Sequence, residues 1–303
     1  MTAQLSLRPL GKNLGTEVQG VDLAALDDTT FAEIEDIFRD HPVLVFRDQK
    51  LDAHQLAAFG ARFGHLREHI LENYRHPDDA RVSFITNVAK DGGVDKFGVT
   101  RASSWHADET YDPPEKLPRL AILHAVEVPR EKGGTLFADM YAAYDTLAPA
   151  MKEKLASMTG RHGYTDGPDA QKIYTPEHIA RRNAGRPECL HPAIKDHPVT
   201  GRKVLFVNPT HCHGFVGMTN EESTPLIEKL RDHSIQDDNT YYHKWRVGDV
   251  LIWDEIATMH RGAADAAPEE RRVMLRTIVH PNRAALGRSR LRHSGEGRNP
   301  DIN

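Results

Sequence analysis

Residues 239–254 read NTYYHKWRVGDVLIWD. The stretch predicts a strand over Asn239 to Trp245, a turn at Val247-Gly248-Asp249, and a second strand over Val250 to Trp253. The second strand is apolar at every position, and so is Val43-Leu44-Val45-Phe46, which Pro42 opens. Such a run reads as a strand buried on both faces. Working outward, further short strands are predicted at Leu5 to Arg8, Glu17 to Val21, Arg81 to Val88, Arg119 to Val128, Thr135 to Ala138 and Arg271 to Val279. A hairpin over Ala193 to Val207 turns at Thr200-Gly201. Helices are fewer. Thr30 with Glu33 forms a capping box ahead of the stripe Phe31, Ile34, Ile37 and Phe38, and Asp52 with Gln55 starts a second helix running to Phe63. Tyr141 to Met158, Pro176 to Arg182 and Thr219 to His233 complete them. Short strands outnumber helices and do not alternate with them, so the fold class expected is mainly β with flanking helices, not a βαβ array.

The chain has 303 residues, of which 39% are hydrophobic and 27% charged. Lys and Arg number 39 against 44 Asp and Glu, a net charge of −5. That balance gives no general reason to expect nucleic acid as a partner. The sequence has no apolar run of about 18 residues, so no transmembrane helix is expected. Two cysteines, Cys189 and Cys212, cannot build a disulfide framework, and a cytoplasmic location is the expectation. One domain is expected over residues 1–283. The Arg- and Gly-rich stretch 284–303 is expected to be a disordered tail. Residues 89–104 (AKDGGVDKFGVTRASS) carry no period and three glycines, and read as a mobile loop over a site.

Eighteen histidines is a high number for this length. In an extended segment His106 and Asp108 face the same way, and one imidazole and one carboxylate so placed can grip one cation. A second histidine from elsewhere would complete a facial triad on ferrous iron. The spacing alone is weak, since His76-Pro77-Asp78 repeats it within a turn composition. Trp105 before His106 and the β-rich region after it favour the first match. Further on, His260 follows the strand ending at Trp253. Arg272 and Arg276 lie four apart on one predicted strand and share its face with Met274 and Ile278. Two arginines on such a face need anions or paired carboxylates, and an arginine–carboxylate pair within the fold is the plainer reading of that feature alone.

Taken together, Trp105-His106-Ala107-Asp108, the stretch GGTLFADM at 133–140, GDVLIWD at 248–254, His260 and RRVMLR at 271–276 resemble the taurine/2,4-dichlorophenoxyacetate dioxygenase family of Fe(II)- and 2-oxoglutarate-dependent oxygenases. The resemblance spans Leu5 to Pro281. It implies a double-stranded β-helix, a jelly-roll, cupin-like core. It implies His106, Asp108 and His260 as iron ligands and catalytic residues. It implies Thr135 and Arg272 as the grip on the far carboxylate of 2-oxoglutarate, with Arg271 the neighbouring alternative. Arg276 would sit nearer the iron, against 2-oxoglutarate or an anionic substrate head. Fe(II), 2-oxoglutarate and O2 would be required, with succinate and CO2 as co-products. Related halogenases carry a small residue at the carboxylate position, so Asp108 points to hydroxylation.

The substrate expected is a small organic acid, most plausibly an aryloxyalkanoate-like carboxylate. A sulfonate or sulfate ester is the alternative. Ala102 stands where taurine dioxygenase has an asparagine, which leans away from taurine itself. His69, Asn73, Tyr74, Arg101 and His213 are candidate substrate contacts. His211-Cys212-His213 lacks zinc-site spacing and reads as a loop. A zinc hydrolase using the same triad and a non-catalytic cupin-like binding protein are the readings from other classes. The paired arginines argue against the hydrolase. The apolar stripes of the first two helices would serve the core or a homo-oligomer equally well.

Overall fold

The computed structural model describes residues 5–69, 71–100, 102–164 and 166–282. Strand Val250–Asp254 runs antiparallel between Val43–Phe46 on one side and Leu120–Glu127 on the other. From these the larger sheet extends outward, through Thr16–Gln19 to Ser6–Pro9 at one edge and through Val273–His280 to His65–Leu66 at the other. Ser83–Thr86 also pairs with Val273–His280. The contact between Thr16–Gln19 and Val43–Phe46 is parallel, and every other pairing in this sheet is antiparallel. A second sheet has Thr135–Asp139 at its centre, flanked by Thr240–His243 and Thr258–Gly262, both antiparallel. The two sheets face one another across a shared apolar layer, the jelly-roll core.

Alternation along the central strands explains both layers. Val43, Val45, Ala121, Leu123, Leu251, Trp253 and Met274 face inward and pack with Phe137 and Tyr241 of the second sheet. Leu44, Phe46, Leu120, Ile122, Val250, Ile252 and Leu275 face outward against helices Asp28–Asp40 and Ala53–Phe63. The wholly apolar runs are therefore buried twice over. Each large side chain so buried contributes about 1.5–3 kcal/mol. The stripe Phe31, Ile34, Phe38 and the row Leu56, Phe59, Phe63 lie in this outer layer, so the core takes the apolar faces of both helices.

Asp254 turns the chain from one sheet to the other. Its Oδ1 accepts from the Ile256 and Ala257 N–H groups at 2.8 Å each, and its Oδ2 meets His197 Nε2 at 3.0 Å. The chain then enters Thr258–Gly262, which carries His260. Trp253 lies with its ring centre 5.4 Å from Phe137 and 4.9 Å from His260, so the inner core forms one wall of the site.

Local details differ from the sequence expectation where a competing signal wins. The first helix begins at Asp28, capped by Asp27, whose side chain accepts from the Thr30 N–H; Thr30 lies inside the first turn. The helix expected over Tyr141 to Met158 is two, Met140–Asp145 and Pro149–Ala156. Pro149 cannot donate into a continuing helix, so it starts a new one. Residues 89–104 hold a short helix, Lys96–Thr100, and a bridge between Val88 and Val94. The capping boxes at Asp52/Gln55 and Thr219/Glu222 are both formed. The expected tail at 284–303 lies outside the described residues. Among the described residues no helix is long and apolar enough to cross a membrane.

Burial lowers the pKa of His124, His162, His191 and His243 from 6.5, to about 4 for His191. A folded-state value below the unfolded one means that the unfolded chain binds more protons. Stability therefore falls as pH drops below about 6.5, by up to about 1.4 kcal/mol per pH unit for each group. We expect the urea midpoint to be level between pH 8 and 7 and to fall steeply between pH 6.5 and 5. A level profile down to pH 5 would contradict this.

Candidate active site

His106 and His260 sit opposite one another as an isolated antiparallel bridge. The His106 N–H donates to the His260 carbonyl at 3.0 Å, and the His260 N–H returns the bond at 2.7 Å. This pairing brings residues 154 positions apart in the chain to a ring separation of 4.3 Å. His106 Nδ1 donates to the Ser104 carbonyl at 2.8 Å, which leaves the Nε2 lone pair facing Asp108 Oδ1 at 3.6 Å. One ligand atom from each of His106, Asp108 and His260 lies within 4.8 Å of the others. Among the described residues no other group of three histidine, cysteine or acidic side chains converges in this way.

The second oxygen of Asp108 is held separately. Its Oδ2 accepts from Arg276 Nη1 at 3.0 Å, and its backbone N–H donates to Glu255 Oε2 at 2.8 Å. Burial opposes ionisation of Asp108, but the Arg276 guanidinium beside it holds its pKa well below the usual carboxylate range. Burial pushes the His260 pKa down, so that imidazole is neutral, and its Nδ1 is buried without a hydrogen-bond partner. Two neutral imidazoles and one carboxylate suit a divalent ion and leave up to three coordination positions open. The residues present fit ferrous iron.

Arg272 approaches the same cavity, just before strand Val273–His280. Its Nε donates to the Gly133 carbonyl at 3.1 Å and its Nη2 to Thr135 Oγ1 at 3.3 Å. Thr135 Oγ1 also accepts from Trp245 Nε1 at 3.0 Å. A hydroxyl has two acceptor sites and one proton, so with both sites used the proton is left to donate to a ligand. Gly134 is required beside it, because a Cβ there would lie 2.3 Å from the Tyr242 ring. Arg271 points elsewhere, to an exposed pair with Glu127 at 2.7 Å. The arginine that reaches the cavity is therefore Arg272.

The cavity has a volume of about 230 Å³. The triad, Arg272, Arg276 and Thr135 are among its lining residues. Arg67, His69, Phe97, Tyr111, Tyr164 and His211 also line it. Of the expected substrate contacts, His69 lines the cavity. Asn73 and Tyr74 do not; the Tyr74 hydroxyl donates instead to Asp95 Oδ2 at 2.6 Å. His213 also lies off the cavity, 3.2 Å from Glu188. Arg101 lies outside the described residues. His211 is a cavity residue that the sequence reading left in a loop. It is buried, with its ring centre 6.4 Å from His106 and 5.1 Å from Tyr111. Strand alternation would put His211 and His213 on one face, but the register shifts between Cys212 and Gly214, and only His211 lines the cavity.

Glu109, next to Asp108, was also missed. It has φ 57, in the left-handed region that costs a non-glycine residue about 1–2 kcal/mol. Its Oε1 pairs with Arg67 Nη2 at 2.7 Å, and its Oε2 accepts from His280 Nε2 at 2.8 Å.

Comparison with known proteins gives a consistent result. The family model described as "Taurine catabolism dioxygenase TauD, TfdA family" matches residues 6–278. A pentalenolactone F synthase of Streptomyces arenae is 32% identical over 279 residues, covering 88% of this chain and 92% of the relative. An (S)-phenoxypropionate/alpha-ketoglutarate-dioxygenase of Sphingobium herbicidovorans is 32% identical over 273 residues, covering 86% of this chain and 90% of the relative. Among solved structures, AAD-2 in complex with Mn(II) and N-oxalylglycine superposes with a TM-score of 0.80 at 26% identity, covering 92% of this chain and 97% of that one.

Proposed function

The chain belongs to the TauD, TfdA dioxygenase family, and from that premise we propose that it hydroxylates a small organic acid with an aromatic or bulky apolar body, an aryloxyalkanoate-like carboxylate. It is an Fe(II)- and 2-oxoglutarate-dependent dioxygenase. The observation that carries the substrate reading is the make-up of the cavity. Phe97, Tyr111, Tyr164 and Tyr174 line it together with Arg272 and Arg276. Tyr111 and Tyr164 meet edge to face at 4.7 Å, a preformed wall for a flat ring. The phenoxypropionate dioxygenase relative supports the same class.

In this reading His106, Asp108 and His260 hold the iron. The chemistry supplied there is oxidative decarboxylation of 2-oxoglutarate. One atom of O2 enters succinate, the other becomes the hydroxyl of the product, and CO2 leaves. The remaining work belongs to side chains. The Arg272 fork and the Thr135 proton bind the far carboxylate of the diacid. Arg276 keeps Asp108 Oδ2 engaged, so that Oδ1 is the oxygen offered to the metal. The packed wall of Trp253 and Phe137 limits water on the inner side.

Substrate-dependent succinate release across a panel of aryloxyacetates, aryloxypropionates, other carboxylates, sulfonates and sulfate esters tests the proposal. Release with the aryloxyalkanoates, accompanied by the corresponding phenol, is expected. Release only with sulfonates or sulfate esters, with sulfite or sulfate appearing, would replace it by the sulfur-ester reading.

A further inference from the structure

We propose that Glu109 is a positioning residue for the metal cage: gripped by Arg67 and His280, it holds the left-handed turn that aims the Asp108 carboxylate inward. The inference rests on the reading of His106, Asp108 and His260 as the iron ligands.

The backbone is the first observation. Glu109 has φ 57, a conformation that L side chains rarely adopt unless their surroundings impose it. The surroundings do so here. Both carboxylate oxygens are committed, one to Arg67 Nη2 at 2.7 Å and the other to His280 Nε2 at 2.8 Å. The Glu109 side chain is only 13% exposed, unlike a solvated surface glutamate.

The origin of the two partners is the second observation. Arg67 directly follows the strand His65–Leu66, and His280 ends the strand that carries Arg276. Those strands pair directly, Leu66 with Val279 and His65 with His280. The clasp therefore ties the ligand-bearing turn to the strand whose Arg276 holds Asp108 Oδ2. Arg67 also reaches Asp112 Oδ2 at 3.4 Å, and the Asp112 N–H donates to the Glu109 carbonyl at 2.8 Å. One guanidinium thus braces both ends of the turn Glu109 to Asp112. Asp108 is fixed on three sides: its side chain by Arg276, its N–H by Glu255, and its following residue by the clasp. A ligand ordered before the metal arrives does not have to be ordered by it, and groups of this kind typically contribute about 10–100-fold to metal affinity.

The test is anaerobic titration of the full chain with Fe(II), repeated with Co(II) and followed by visible absorption. It is run on the unsubstituted protein, Glu109→Gly, Arg67→Met and the double variant. Glycine removes the grip and the backbone cost together. Relief of the backbone cost offsets part of the lost clasp, so the melting temperature of the metal-free Glu109→Gly protein should fall only modestly while its metal affinity falls about 10–100-fold. Arg67→Met leaves the turn's backbone unchanged and should weaken metal binding in the same direction by less. The double variant should bind only slightly more weakly than Glu109→Gly, because the Arg67–Glu109 contact is shared and only the longer Arg67–Asp112 contact is lost in addition. Unchanged metal affinity in both single variants overturns the proposal. So does a loss of affinity matched by an equal loss of metal-free stability, or a change confined to the KM of the organic substrate. Failure of the unsubstituted protein to bind either metal would instead remove the triad reading on which the proposal stands.

Discussion

Asp108→Ala abolishes iron-dependent succinate formation, by at least about a thousandfold, or about 4 kcal/mol of barrier. Two effects combine. The cage loses its only anion, so a divalent ion would face two neutral imidazoles and the positive Arg276. Arg276 Nη1 also loses the oxygen it meets at 3.0 Å and becomes a half-buried guanidinium without that partner. The measurement is succinate release at saturating Fe(II) and 2-oxoglutarate, with circular dichroism to establish that the variant is folded. Near-normal succinate production by a folded Asp108→Ala protein would refute the role given to this carboxylate.

Arg272→Met raises the KM for 2-oxoglutarate by about a hundredfold, close to 3 kcal/mol, the scale of losing a charge-assisted pair to a carboxylate. Its effect on kcat at saturating 2-oxoglutarate should be smaller, because the lost interaction holds the diacid's far end before and during reaction alike. Arg271→Met is the matched control. That side chain is exposed and paired with Glu127 on the surface, so its removal should leave the KM within about twofold, the small effect of a surface pair. A larger effect at Arg271 than at Arg272 would contradict the assignment. Initial rates of succinate formation against 2-oxoglutarate concentration measure both.

Much of this arrangement was legible in the sequence, for identifiable reasons. The runs Val43–Phe46 and Val250–Trp253 are apolar at every position because each strand is sandwiched between the inner core and the outer helices. His106, Asp108 and His260 could be found because their joint order with the glycine pair and the paired arginines is specific. Arg272, just before strand Val273–His280, and Arg276 within it both reach the cavity. What escaped depended on geometry that spacing does not encode. Glu109 faces the cavity through a left-handed backbone, which alternation cannot anticipate. His211 lies just before strand Cys212–Phe215, whose register shifts after Cys212, so the side that holds His213 does not locate it. Glu255 carries a buried carboxylate one residue beyond Asp254, and its contact with the Asp108 N–H spans 147 residues. The break at Pro149 was readable, since proline favours the first turn of a new helix.

The central claim is that three side chains from two distant segments hold one divalent ion, with Arg272 opposite to bind a diacid. A crystal structure of the protein with Mn(II) and N-oxalylglycine addresses it directly. The account predicts an anomalous manganese peak at about 2.0–2.2 Å from nitrogen or oxygen donors of His106, Asp108 and His260, with the far carboxylate of N-oxalylglycine paired to Arg272 and Thr135. A peak coordinated by other residues, or the diacid held away from Arg272, would contradict it.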